Sequence, residues 1–117
     1  MNGRFNSRGV DGERIAKEYL VRLGYQILTT NFFSRWGELD IVAIDPNGIV
    51  GFIEVKSYRI GSMVSPLESV TPAKIKRIEK TIAYFLMKNP HYQDRDMRIE
   101  VIVTDGGAVC DHLTALK

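Results

Sequence analysis

At 117 residues, with 44% hydrophobic and 26% charged residues and a formal net charge of +2, the chain is long enough to bury one core and too balanced to be a disordered or strongly polycationic segment. No apolar run reaches the about 18 residues that cross a bilayer, and Met1 to Gly9 lacks the apolar stretch of a signal peptide, so a cytoplasmic protein with no membrane partner is expected. The single cysteine excludes an internal disulfide, no Cys/His cluster has zinc-ligand spacing, and Cys110 reads as a small packing residue.

The first element is a helix over about Asp11 to Leu23, because Ala16, Tyr19, Leu20 and Leu23 fall on one stripe, with Asp11 as its cap and Gly24 as its stop. Residues 25–31 then read as a strand rich in β-formers. Two apolar runs follow, Gly37 to Asp45 and Ile49 to Ser57, separated by Asp45-Pro46-Asn47-Gly48. Proline presets the second turn position and glycine takes the left-handed one, so the two runs form a hairpin. Residues 57–71 read as a loop. Thr71-Pro72 supplies a side-chain cap and a first-turn proline for a second helix, whose stripe Ile75, Ile78, Ile82 and Phe85 ends at Asn89-Pro90. Arg98 to Thr104 is a further strand, and the last residues add a short edge element. The order is α-β-β-β-α-β in one domain, residues 1–117.

A type I turn with Gly48 as a bulge places Asp45 opposite Ile49, so facing residue numbers sum to 94. Asp40 then faces Glu54, Glu38 faces Lys56, and period-two alternation puts all four charges on one face. The remaining positions of both strands are apolar, which marks the strands as central and covered on both sides. Three carboxylates and one ammonium about 5 Å apart leave a negative corner that either holds a proton or binds a cation. Hard carboxylate oxygens suit Mg²⁺ or Mn²⁺, and Lys56 is placed to act on a scissile phosphate. The competing reading is a paired-charge cluster, Glu38 with Lys56 and Asp40 on backbone donors. Between Lys56 and Lys80 six basic residues, among them Arg59, Lys74 and Arg77, face two acids, either a phosphate-binding surface or a solvated helix face. His91 and His112 have no apparent partner and read as surface groups. Trp36, beside Arg35, either stacks on a base or covers the sheet end.

Asp40 with Glu54-Val55-Lys56 resembles the PD-(D/E)xK signature of the restriction-endonuclease-like superfamily. The pattern is closer to its YraN-like family of predicted bacterial endonucleases, similar to archaeal Holliday-junction resolvases. It runs through Gly12-Glu13, Ala16, Tyr19-Leu20, Gly24-Tyr25, Asn31, Gly37 to Val42, Phe52 to Lys56, Val70 to Lys74 and Arg98. The resemblance implies a mixed central sheet flanked by helices and Mg or Mn as cofactor. It implies metal ligands at Asp40, Glu54 and the Val55 carbonyl, a catalytic Lys56, and Glu13 joining from the first helix. Glu38 is a supporting acid, and Arg59, Lys74 and Arg77 are nucleic-acid contacts. Leu39 stands in place of the signature proline, and Glu100 where an aspartate is more usual. The expected activity is hydrolysis of DNA, branched DNA included, with a homodimer or a repair or recombination partner helping to hold the duplex. The alternative is a non-catalytic nucleic-acid-binding or scaffold protein of a DNA-processing assembly.

Overall fold

A computed structural model of the chain describes residues 3–57 and 71–116. Its elements are α1 (Gly3–Arg22), β1 (Gln26–Ser34), β2 (Gly37–Ile44), β3 (Val50–Ser57), α2 (Pro72–Lys88), β4 (Met97–Asp105) and β5 (Ala108–Leu116). The expected α-β-β-β-α-β order is there, extended by β5. The five strands form one sheet in the order β1-β2-β3-β4-β5. Only β3 and β4 run parallel; the other three pairings are antiparallel. Its parallel pair is made by the crossover through α2.

Two clusters pack the faces of this sheet. On one, Ile78, Ile82 and Phe85 of α2 meet Val42, Val50, Phe52 and Ile99. On the other, Ala16 and Leu20 of α1 meet Ile41, Ala43, Ile53 and Ile102. Neighbours in sequence, Ile41 with Val42 and Phe52 with Ile53, thus serve opposite faces, as period two requires of covered strands. No helix among the described residues is long and apolar enough to cross a membrane.

Turn chemistry fixes the hairpin. The Gly48 N–H donates to the Asp45 carbonyl (2.9 Å) and the Asp45 N–H to the Ile49 carbonyl (2.9 Å), while Gly48 sits at φ 87°. Asp45 Oδ1 also accepts from the Asn47 and Ile49 amides. Helix α2 begins as its sequence dictates, with Thr71 Oγ1 accepting from the Lys74 N–H, and it ends at Asn89.

Helix α1 begins at Gly3 rather than Asp11. Residues 3–10 carry no apolar stripe, so a period-based boundary falls where packing against the sheet begins. Asp11 is inside the helix and does not cap it. The closing element is a nine-residue strand, β5, longer than the short edge element expected. Cys110 on β5 is exposed and is not a packing residue, because it lies on an edge strand past the Gly106-Gly107 turn.

Candidate functional site

The register that sums to 94 holds from Ile44 opposite Val50 to Ile41 opposite Ile53. Beyond that the strands part. The start of β2 pairs with β1 down to Gly37 opposite Ser34, while β3 continues along β4 to Ser57 opposite Thr104. Asp40 fills the fork: its Oδ2 accepts the Val55 N–H at 2.8 Å, a donor that an unbroken ladder would give to the Leu39 carbonyl.

Glu38 does not meet Lys56. Leu39 and Val42, three positions apart, both join the α2-side cluster, so the alternation slips between them. On β1 the pairing with β2 skips Asn31, which adopts φ 53°. Asn31 donates through Nδ2 to Glu38 Oε2 at 2.7 Å and to Glu13 Oε1 at 3.0 Å. Glu13, reaching in from α1, therefore gathers with Glu38 and Asp40, and one carboxylate oxygen from each lies within 4.8 Å of the others. Glu13, which no hairpin argument could reach, lies with Glu38 and Asp40. Asn31 was visible only as a member of that pattern; a polar residue in a strand gives no signal of its own.

Glu54 has a different setting. Its Oε2 is shared by Lys56 Nζ at 3.0 Å and Lys74 Nζ at 3.3 Å, so β3 and the first turn of α2 supply one ammonium each. Lys74 approaches because the Thr71 cap fixes the start of α2 over the end of β3. Trp36, Glu38, Asp40, Glu54, Lys74 and Arg77 line a cleft of about 200 Å³ between the sheet end and α2. Arg77 is exposed on its rim. Arg59 lies outside the described residues.

The electrostatics follow from this packing. Burial is the main cause that pushes the Asp40 carboxyl up to about 7, and the Glu54, Glu13 and Glu38 charges add to it against the Val55 hydrogen bond. Burial would lower the Lys56 pKa, but contact with Lys74 and the pair with Glu54 outweigh it and raise it. Lys74 is pushed down, first by that contact and then by burial. Glu13, Glu38 and Asp40 form a group of three acids close enough to share a cation, and an array of hard oxygens suits Mg²⁺ or Mn²⁺.

Two other residues sit elsewhere than their sequence context suggested. Glu100 is fully buried on the α1 side of β4 and belongs to a separate network. His112 is not a partnerless surface group: its Nε2 lies 2.6 Å from Glu100 Oε1 and its Nδ1 2.9 Å from the Tyr19 hydroxyl. Its partners come from β4 and α1, far away in sequence. His91 is exposed.

Residues 12–104 match the model of "Uncharacterised protein family UPF0102". The chain belongs to this family. A UPF0102 protein of Helicobacter pylori (strain Shi470) is 37% identical over 108 residues, covering 92% of this chain and 89% of that protein. One from Syntrophomonas wolfei is 38% identical over 108 residues, covering 90% and 92%. Another, from Helicobacter hepaticus, is 43% identical over 86 residues, covering 74% and 73%. Among solved structures, "Structure of EndoMS-dsDNA2 complex" is similar at 11% identity with a TM-score of 0.36, over 84% of this chain and 38% of that one. A likeness that loose does not bear on chemistry.

Proposed function

We propose that this UPF0102 protein is a Mg²⁺- or Mn²⁺-dependent endonuclease of the restriction-endonuclease-like (PD-(D/E)xK) type that hydrolyses DNA phosphodiester bonds, branched DNA of repair or recombination among them. The observation that carries the reading is the gathering of Glu13, Glu38 and Asp40 within 4.8 Å, where Glu38 and Asp40 line one cleft with Glu54 and Lys74 and Lys56 pairs with Glu54. Carboxylates crowded to this degree are costly unless a cation or proton offsets them.

In this reading Asp40 and Glu54, with the Val55 carbonyl, would hold the cation, Glu13 would join them, and Glu38 supports Glu13 through the Asn31 amide that both accept from. A divalent cation held there would supply a water of lowered pKa and positive charge toward the phosphoryl oxygens. Lys56, fixed against Glu54, orients the attacking water and stabilises charge that develops as the leaving oxygen departs. Lys74 and Arg77, with Arg59, neutralise neighbouring phosphates. A net charge of +2 leaves most phosphates of a duplex unpaired, which favours a homodimer or a repair or recombination partner. The shared carboxylate of Glu54, already neutralised by two lysines, favours the second reading, a nucleic-acid-binding scaffold without turnover.

Junction, flap, single-stranded and linear DNA incubated with Mn²⁺ separate the two. The wild type is expected to cut at least one substrate, with Glu54→Ala and Lys56→Ala each slowing cleavage on the order of 100-fold or more. Cleavage that persists in both variants removes the assigned site. In parallel, Mn²⁺ should raise the melting temperature of the wild type and have far less effect on Asp40→Ala. A protein that binds DNA, ignores metal and cuts nothing is the scaffold.

A further inference from the structure

The tip that joins β1 to β2 carries aromatic side chains that hydrolysis alone does not use. Phe33 is 68% exposed, more than any other large hydrophobic residue among those described. A single exposed ring is ordinary on a protein surface, but this one is the cross-strand partner of Glu38, which sets it beside the carboxylate cluster. Three residues on, Trp36 lines the cleft with Asp40, Glu54, Lys74 and Arg77. The Arg35 guanidinium lies 4.8 Å from the Trp36 ring centroid.

This tip is held in place. The Trp36 N–H donates to Ser34 Oγ at 3.1 Å, and the same hydroxyl is 2.8 Å from Thr81 Oγ1 on α2. The Trp36 ring meets the Tyr84 ring in an edge-on arrangement, centroids 6.4 Å apart. Aromatic rings thus stand on two sides of the acidic fork, with Arg35, Lys74 and Arg77 supplying positive charge around them. The cleft, about 200 Å³, is smaller than the roughly 300–1,000 Å³ of pockets that enclose whole ligands. It has room for a phosphate group, and the bases on either side of that phosphate then fall outside it, within reach of Trp36 on its wall and of Phe33 on the strand position opposite Glu38.

We propose that Phe33 and Trp36 form a stacking platform for unpaired nucleotides next to the phosphate held in the cleft, so that the substrate is DNA with unpaired bases, single-stranded or at a branch, in preference to continuous duplex. This rests on the nuclease reading of the same site. Bases inside a duplex are already stacked on one another and offer no free face, whereas an unpaired base has a face for an aromatic ring and an adjacent phosphate for a cation. Arg35 can add a cation–π contribution to the same platform.

Trp36 is the one tryptophan of the chain, so its emission reports directly on the platform. The full chain is titrated in EDTA, where cutting does not interfere, with oligo-dT of about 12 nucleotides, a flap substrate and a blunt duplex. Oligo-dT and the flap are expected to quench the fluorescence, and the duplex to leave it near its free value. With a labelled oligo-dT read by anisotropy, Phe33→Ser and Trp36→Ala should each bind about tenfold more weakly or worse, while Trp36→Phe stays close to the wild type. Melting curves of the variants exclude unfolding as the cause. Duplex binding as tight as single-strand binding overturns the platform, and so does unchanged oligo-dT affinity in both Phe33→Ser and Trp36→Ala. Cleavage with Mn²⁺ that ignores base pairing overturns the platform and leaves the nuclease; single-strand preference without any cleavage overturns the nuclease and leaves the platform.

Discussion

Glu100 and Asp40 are carboxylates set into strands of one sheet, and their surroundings are opposite. Glu100 is fully buried, and its oxygens are met by the Tyr25 hydroxyl at 3.0 Å, Arg98 Nε at 3.0 Å and His112 Nε2 at 2.6 Å. Arg98 continues to Asp45 at 2.8 Å, tying the hairpin turn into the same network. Burial, opposed by the Arg98 hydrogen bond, pushes the Tyr25 phenol up to about 12, which keeps it protonated as a donor. Asp40 has one backbone donor and three acids around it. A carboxylate with both oxygens matched by donors stabilises and orients its neighbours, whereas one left among like charges is an incomplete site that a cation can finish.

The largest effect expected from this contrast is at Glu100. Glu100→Ala leaves Arg98 with only Asp45 of its two buried carboxylate partners and strips His112 and Tyr25 of an acceptor, a loss of about 3 kcal/mol in urea unfolding. Stability within about 1 kcal/mol of the wild type would show that this network holds nothing together. Next is Gly51→Ala. A Cβ there runs into Glu100 Oε2 and approaches Cδ at 3.1 Å, and because three donors pin that carboxylate it cannot swing away. The expected cost is about 1–3 kcal/mol, measured the same way, with the Mn²⁺ response of the melting temperature left intact. A neutral Gly51→Ala would mean that Glu100 is free to move and that its hydrogen bonds are weak.

The two carboxylates also differ in how far the sequence disclosed them. The hairpin register was legible because Asp45-Pro46-Asn47-Gly48 favours a type I turn with Gly48 as a bulge, and register then follows by counting. That located Asp40 at the end of the ladder, but counting assumes unbroken alternation. The slip near Leu39 and the left-handed Asn31 turned Glu38 toward Glu13 instead of Lys56. The start and stop of α2 were legible from Thr71-Pro72 and Asn89-Pro90, yet the contact of Lys74 with Glu54 depends on how α2 lies across the sheet. Glu100 and His112 were the least legible. Their network joins α1, Tyr25 just before β1, β4 and β5, and no local pattern encodes a pairing such as Tyr19 with His112, 93 positions apart.

The smallest effect is the one with the most specific sign. The folded chain holds the Asp40 carboxyl up to about 7 against an ordinary value of 3.8, so the folded state keeps a proton that the unfolded state gives up. Below pH 3.8 both states are protonated and Asp40 contributes nothing through this linkage. As pH rises from there toward 7 the penalty grows, and above 7 it is complete, because the charged carboxylate then sits among Glu54, Glu13 and Glu38. Asp40→Asn keeps an oxygen to accept the Val55 N–H and removes the charge. In metal-free buffer it should therefore be more stable than the wild type at pH 8, by about 1–2 kcal/mol, with the gain shrinking to nothing near pH 4. The same substitution should abolish stabilisation by Mn²⁺, so the two melting curves cross as metal is added. An Asp40→Asn protein less stable than the wild type at pH 8 without metal would place Asp40 with Glu100, as a structural carboxylate.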